Sequence, residues 1–133
     1  MTTRNPAGRT ALTDYRVVRR YEKLTYLEVR IGTGRTHQIR VHLAHIGCPV
    51  LCDKLYAGHA KITRGEVRQR GQGTGGKGQG TDSGEVLLSR QALHARRIKL
   101  MHPATNQPIE FVAPLPADIE YVLAELRTYG GGR

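Results

Sequence analysis

A Gly-rich basic tract in the middle of the chain limits what the sequence can fold into. Residues 64–84 read RGEVRQRGQGTGGKGQGTDSG, so Gly, Gln and basic residues leave almost no apolar side chain for a core. Such a segment buries too little apolar surface to offset the entropy lost when a chain is ordered. We therefore predict a flexible, cationic loop over 64–84, inserted into a single domain of 14–128. Residues 1–13 are predicted to form a flexible arm, and residues 129–133 a flexible tail.

The segments on either side of this tract show the alternation that is typical of strands. β-branched and aromatic residues predict two strands, Asp14–Tyr21 and Thr25–Ile31, that form a hairpin. After the tract, Arg97–Met101 and Ile109–Val112 predict a second hairpin around a His-Pro turn. Both hairpins are antiparallel by construction.

Two segments show helical periodicity instead. Ile39, Leu43 and Ile46 recur at i, i+4 and i+7 and predict a helix over Thr36–Ile46, with its first residue as the N-cap. Pro116–Arg127 carries a second apolar stripe and predicts a C-terminal helix. Strands, helix, strands, helix is an order that predicts the α+β class, with a mainly antiparallel (mixed) sheet.

The charge balance narrows the choice of partner. The chain has 21 Lys and Arg residues against 11 Asp and Glu residues, a formal net charge of +10. An excess this large favours a polyanion: nucleic acid is the natural candidate, an anionic membrane surface is the weaker one, and a basic surface with no specific partner is the remaining alternative. No apolar run reaches the roughly 18 residues of a membrane span, and the two Cys do not make a disulfide framework. We predict a cytoplasmic protein with reduced thiols and no membrane partner.

The densest polar cluster, GRTHQIRVH, covers Gly34–His42. Arg40 lies beside the apolar stripe of the predicted helix, and an arginine placed there needs an acidic partner or a phosphate. His37 lies one turn earlier on the same side, so a guanidinium and an imidazole meet at a helix N-terminus, where anions are favoured. A solvated basic helix would explain the same pattern, and the residues alone leave both interpretations open.

A zinc site is a further alternative in the same region. His42, His45, Cys48 and Cys52 have the spacing H-x-x-H followed by C-x-x-x-C. This spacing is not the usual C-x-x-C knuckle, and it crowds all the ligands into one short segment. Two small, half-buried thiols are the simpler interpretation, and we predict no metal.

The segment Gly34–Gly58, GRTHQIRVHLAHIGCPVLCDKLYAG, resembles the signature of the ribosomal large-subunit-type RNA pseudouridine synthase family. The family pattern is R-T-H-Q-[IL]-R-V-H followed by a stretch like G-D-x-x-Y-G. Thr25–Arg30, Arg90–Ala95 and Phe111–Pro116 resemble further blocks of the same family in the same order. The resemblance extends over residues 15–127, interrupted by the Gly-rich tract.

This resemblance implies an isomerisation in which a uridine, flipped out of RNA, becomes pseudouridine without a cofactor or a metal. It implies that Arg40 is the catalytic-site arginine, which pairs with a catalytic aspartate. The residues that it implies for binding or shaping the RNA substrate site are Arg35, Thr36, His37, Gln38 and Tyr56.

Two family blocks have no counterpart in this sequence: H-R-L-D-x-x-T-S-G, which carries the catalytic aspartate, and K-x-Y-x-A. Asp53 matches a different family position, and Cys48 and Cys52 stand where His and Gly are common. We therefore expect the C-terminal half of a catalytic domain, inactive alone. A truncated gene model, a split gene and a two-chain enzyme with its N-terminal half on another chain are the alternatives for the missing half. A non-catalytic RNA-binding module derived from this family is the alternative.

Both alternatives predict salt-sensitive RNA binding. Each phosphate neutralised on a single strand releases counterions and contributes a slope of about −0.7 to the dependence of log K on log salt. We expect filter binding of ribosomal RNA across a salt series to give a steep negative line. Binding that is absent, or that does not change with salt, would contradict the assignment of the basic surface to RNA.

Overall fold

The computed structural model of the chain describes residues 8–72 and 84–129 and has the α+β class predicted from the sequence. Within those ranges every strand pairing is antiparallel, but the strands form three separate two-stranded sheets rather than one. No helix of the described ranges combines the length and the hydropathy needed to cross a membrane. The elements in chain order are β1 (Thr13–Arg20), β2 (Thr25–Ile31), α1 (Gln38–His45), β3 (Ile62–Thr63), α2 (Arg64–Gln72), β4 (Val86–Leu88), β5 (Arg97–Met101), β6 (Pro108–Val112) and α3 (Ala117–Tyr129).

The first predicted hairpin is confirmed. β1 and β2 pair from Thr13 opposite Ile31 to Arg20 opposite Thr25, with a register shift after Val17. The strand begins one residue earlier than predicted. Ala11 and Thr13 are buried and Leu12 is hydrogen-bonded to the loop after β2, so the predicted arm over 1–13 is wrong for 11–13, whereas 1–7 lie outside the described part of the chain.

The core lies between the β3–β4 pair and the helices α2 and α3. The predicted apolar stripe of the C-terminal helix is confirmed, since all its members are buried, and α3 packs on α2 and β4. The helix ends at Tyr129, so the predicted tail over 129–133 is wrong at its first residue, and 130–133 lie outside the described part of the chain. The buried cluster consists of Tyr21, Cys52, Ile62, Val67, Leu87, Leu88, Ile119, Val122, Leu123 and Leu126.

The prediction of a loop beginning at Arg64 is wrong for Arg64–Gln72, which forms α2. Val67 is fully buried in the core and gives this polar helix an apolar anchor. Thr63 and Glu66 form a reciprocal capping box, because the Thr63 N–H donates to the Glu66 carboxylate at 2.7 Å and the Glu66 N–H donates to the Thr63 hydroxyl at 3.4 Å. Residues 73–83 of the predicted loop lie outside the described part of the chain.

Ion pairs fasten α2 to its surroundings. Arg64 and Arg68 both bind the Glu125 carboxylate on α3, and Arg64 also binds Glu85 just before β4. The Arg68 guanidinium lies 4.3 Å from the ring centroid of Tyr129. Such contacts explain how a segment with one buried apolar residue becomes helical.

Helix α1 differs from the prediction at its start and on its buried face. It begins at Gln38, with His37 rather than Thr36 as the N-cap. Its buried residues are Gln38, His42 and Leu43, while Ile46, a member of the predicted stripe, is exposed. Of the predicted stripe, only Leu43 is buried. The rest of the buried face is polar and binds polar partners, which apolar periodicity does not predict.

The C-terminal end of α1 is a Schellman motif. The Gly47 N–H donates to the Ala44 carbonyl at 3.0 Å, and the Cys48 N–H donates to the Leu43 carbonyl at 2.9 Å. Gly47 has a φ of 78°, and Gly58, further along, has a φ of 75°. Both are left-handed conformations that a side chain disfavours.

We expect Gly58→Ala to destabilise the chain by about 1 kcal/mol through backbone strain alone. No atom lies within 4 Å of the position that its Cβ would occupy, so no clash contributes. Thermal unfolding should show a midpoint lowered by roughly 4 °C. Gly34→Ala is the matched control, because that site is equally open and has no positive φ; an equal loss in both variants would contradict the role of φ.

Candidate functional site

Arg40 and Asp53 form a buried, two-point ion pair. The Arg40 Nε donates to Asp53 Oδ2 at 2.6 Å, and its Nη2 donates to Oδ1 at 2.8 Å. The side chains are 14% and 0% exposed, so little water screens the pair. The hydrogen bond with Asp53 raises the pKa of Arg40, and the same bond lowers the pKa of Asp53 below its ordinary 3.8. The acidic partner that Arg40 requires is therefore present in this chain.

The carboxylate of Asp53 is held by the turn that follows it. Its Oδ1 accepts the backbone N–H groups of Leu55 at 3.1 Å and Tyr56 at 3.3 Å. These bonds also lower the pKa of Asp53, although less than the bond from Arg40 does. A carboxylate with four donors and no exposed surface is poorly suited to attack a substrate.

Tyr56 brings His37 and Arg40 together. The Arg40 guanidinium carbon lies 5.2 Å from the centroid of the Tyr56 ring, within the range of a cation–π contact. The Tyr56 hydroxyl lies 3.4 Å from Nδ1 of His37, and the two rings meet edge to face at 87°. We refer to His37, Arg40, Asp53 and Tyr56 as the Arg40 cluster.

His37 has a φ of 52°, which is unusual for a residue with a side chain. A left-handed conformation costs about 1–2 kcal/mol, and it persists only where the surroundings enforce it. Here the next residue, Gln38, is anchored in the interior, while the His37 side chain stays exposed beside Tyr56.

Gln38 belongs to a separate, internal network. Its Nε2 donates to the Leu12 carbonyl at 2.8 Å and to the Thr13 hydroxyl at 2.9 Å. Its Oε1 accepts from the Thr33 hydroxyl at 2.7 Å and from the Arg35 N–H at 3.1 Å. The side-chain amide thus ties the start of β1 to the loop after β2, and this placement suits a residue that shapes the site rather than one that touches RNA.

The two remaining residues of the predicted RNA site, Arg35 and Thr36, are exposed just before the cluster. Contact of either residue with RNA stays a prediction. The roles of Arg40, His37, Gln38 and Tyr56 in the site also stay predictions.

The residues considered for zinc have different surroundings. His42 is buried and its Nδ1 lies 2.8 Å from the Thr13 hydroxyl, while Cys48 is exposed. Burial raises the pKa of the Cys52 thiol to about 11, which disfavours the thiolate that a metal needs. Within residues 8–72 and 84–129, no three His, Cys, Asp or Glu side chains are grouped closely enough to hold a metal ion.

Asp53 is the site residue that sequence reasoning missed as a partner of Arg40. The signal was available, since a half-buried arginine needs an acid and Asp53 lies in the turn thirteen residues later. The family position of Asp53 indicated that it is not the catalytic aspartate, but it did not indicate that Asp53 binds Arg40.

Comparisons with known proteins agree with one another. Residues 1–45, which include the whole polar cluster Gly34–His42, match the model of a family described as RNA pseudouridylate synthase. The chain is 42% identical over 123 residues to ribosomal large subunit pseudouridine synthase D of Xylella fastidiosa. The aligned stretch covers 90% of the chain and 33% of the relative. It is 40% identical over 130 residues to the protein of that name from Haemophilus ducreyi, covering 93% of the chain and 35% of the relative.

A third relative is an uncharacterized RNA pseudouridine synthase from Chlorobaculum parvum, 40% identical over 121 residues, with 91% of the chain and 35% of the relative covered. The chain therefore spans about a third of the length of the curated relatives that it matches.

The Arg40–Asp53 pair makes stability depend on pH. We expect Asp53→Ala to cost roughly 3 kcal/mol at neutral pH, because Arg40 and two backbone donors lose their acceptor. The carboxyl pKa of Asp53 is lower in the folded state than its ordinary value of 3.8. The stabilisation that results is complete above pH 3.8 and is lost as the pH falls through the lowered pKa. The gap in melting temperature between the wild type and Asp53→Ala should therefore narrow below about pH 4.

Asp118→Ala is the control for this measurement. Asp118 also binds an arginine, Arg90, at two points, but the side chains are 36% and 42% exposed. An exposed pair is worth at most about 1 kcal/mol. Equal losses for the two variants at neutral pH would show that burial does not set the strength of the Arg40–Asp53 pair.

Proposed function

The chain belongs to the ribosomal large-subunit-type RNA pseudouridine synthase family, and from this premise we propose that it is the C-terminal portion of an enzyme that isomerises uridine to pseudouridine in RNA. The proposed substrate is ribosomal RNA, and the proposed location is the cytoplasm. The observation that carries the proposal is the Arg40 cluster, in which a half-buried arginine is oriented by Asp53 beside Tyr56 at the family motif.

The reaction breaks the bond between C1′ and N1 of a uridine, turns the base, and joins C1′ to C5. It needs no oxidant, reductant or cofactor, since the product is an isomer of the substrate. In this proposal Arg40 pairs with the catalytic carboxylate, and the guanidinium geometry suits that task because it can bind a carboxylate at two points. Tyr56 and His37 line the cleft that receives the base.

The catalytic carboxylate of this proposal belongs to a part of the enzyme beyond the present sequence. Asp53 is unsuited to the role, because it is fully buried and already accepts four hydrogen bonds. The coverage of only about a third of each relative leaves room for a polypeptide that supplies the aspartate.

The hairpin β5–β6 supports a partner polypeptide. Residues opposite each other in this antiparallel pair share a face, so Ile98 with Phe111 and Leu100 with Ile109 form one wholly apolar face. Ile98 and Phe111 are 55% and 59% exposed. The opposite face carries Glu110, which pairs with two cations of β5. A two-stranded hairpin with one exposed apolar face is marginal in water, which favours its coverage by the rest of the enzyme.

The basic surface supports an RNA substrate. Arg35 and Lys54 are exposed and adjoin the Arg40 cluster in the chain, where cations attract phosphates. The same surface would serve a non-catalytic RNA-binding module, so RNA binding alone does not separate the two functions.

A reconstitution assay tests the proposal. The chain is assayed alone and after mixing with the part of the Xylella fastidiosa relative that lies outside the matched third. Tritium release from carbon 5 of labelled uridine in ribosomal RNA reports the reaction, because that carbon loses its hydrogen when it joins the ribose. We expect no release with the chain alone and release with the mixture.

Arg40→Ala should lower the rate of the mixture by about 100-fold, as expected for loss of a group that orients the reacting carboxylate. Arg97→Ala, which removes an exposed arginine paired with Glu110, is the control and should change the rate little. An inactive mixture that still binds RNA would contradict the enzymatic proposal and favour the binding module.

A further inference from the structure

We propose that Asp53 is a positioning residue for Arg40, which commits one edge of the guanidinium so that the other edge meets an anionic group in a fixed orientation. This inference rests on the proposed function, in which the anionic group is the carboxylate of the catalytic aspartate. Asp53 itself takes no direct part in the isomerisation.

The two edges of the Arg40 guanidinium differ in their hydrogen bonds. Nε and Nη2 of Arg40 are bound by the two oxygens of Asp53, at 2.6 Å and 2.8 Å. Within residues 8–72 and 84–129, Nη1 makes no hydrogen bond. Two contacts from one carboxylate fix the plane of the group as well as its position, which a single contact would not do.

Movement of the Arg40 guanidinium out of its own plane is also restricted. The Tyr56 ring lies over the guanidinium, with 5.2 Å between the Arg40 carbon and the ring centroid. Asp53 therefore limits sliding within the plane, and Tyr56 limits movement out of it. An arginine on a flexible stem has lost its rotamer freedom before any ligand arrives, which reduces the entropy cost of binding.

Asp53 is itself anchored to the backbone. Its N–H donates to the Val50 carbonyl at 3.1 Å, and its carbonyl accepts from the Ala57 N–H at 2.7 Å. Its Oδ1 accepts from the N–H groups of Leu55 and Tyr56. The orientation of Arg40 is thus determined by a turn and not by another mobile side chain.

The two oxygens of Asp53 have different tasks, and this makes a selective variant available. Oδ1 accepts both backbone N–H groups and the Arg40 Nη2, whereas Oδ2 accepts only the Arg40 Nε among the hydrogen bonds of the described residues. Asp53→Asn with its amide oxygen at the Oδ1 position preserves the turn. Its NH2 group then faces the Nε–H of Arg40, donor against donor, so the Nε contact is lost and only the Nη2 contact to the amide oxygen remains.

The test is the hydrogen-exchange rate of the Arg40 Nε–H, measured by NMR on the full chain, with Arg40→Lys used to assign the signal. We expect slow exchange in the wild type and an acceleration of at least about tenfold in Asp53→Asn, the factor that matches loss of one charge-assisted hydrogen bond. Asp53→Glu keeps the carboxylate and should restore part of the protection. Asp118→Asn weakens the similar but exposed pair with Arg90 and should leave the Arg40 rate unchanged.

An Arg40 exchange rate that is the same in the wild type and in folded Asp53→Asn overturns the inference. If Asp53→Asn unfolds, Asp53→Glu decides: protection of Arg40 between that of the wild type and that of an exposed arginine supports positioning, and wild-type protection with a displaced carboxylate contradicts it.

The reconstituted mixture gives a second readout. Asp53→Asn should lower kcat by about 10- to 100-fold with little change in KM, because a misoriented arginine impairs the reacting state more than substrate binding. An active mixture in which Asp53→Asn has wild-type kcat overturns the inference. A mixture in which even the wild type is inactive contradicts the proposed function instead, and the exchange measurement still decides whether Asp53 positions Arg40.

Discussion

A buried guanidinium must be paired, and this requirement organises the part of the chain around the family motif. Because Asp53 satisfies Arg40, helix α1 and the turn after Val50 are held together across a short loop. The same turn then delivers Tyr56 to the guanidinium and, through Tyr56, to His37. On the other side of α1, Gln38 and His42 bind Thr13 and so attach the first hairpin. One electrostatic constraint and one polar network thus replace the apolar stripe that would normally seat a helix.

Elements that depend on apolar periodicity were predictable, and elements that depend on polar partners were not. The stripe of α3 and both hairpins follow from spacing alone, since burial there removes apolar side chains from water. Helix α2 was missed because one valine and a capping box do not register as a pattern in a Gly-rich context, although Thr63 and Glu66 have the spacing of such a box. For the site, the need of Arg40 for an acid was predictable, but which acid meets it depends on a turn whose conformation spacing does not reveal.

Buried apolar side chains are distributed unevenly over the elements of the fold. Its apolar cluster contains residues of β3, β4, α2 and α3 together with Tyr21 and Cys52, while β1–β2 and β5–β6 are two-stranded units that leave large apolar side chains in water. Isolated hairpins gain little stability from their own pairing. In the proposed enzyme, the remaining part would cover these hairpins and bring the catalytic aspartate to Arg40.

The pairing of β3 with β4 has a consequence for how the chain tolerates insertions and deletions. The backbone N–H of Arg64 bonds the Glu85 carbonyl at 2.8 Å, and the Arg64 guanidinium binds the carboxylate of the same residue. The points where the polypeptide leaves and re-enters the core are therefore clamped to each other. Doubling the length of a connection between clamped ends costs only about 0.6 kcal/mol. Lengthening the connection between Arg64 and Glu85 is therefore inexpensive, and it leaves the turn that carries Asp53 unchanged.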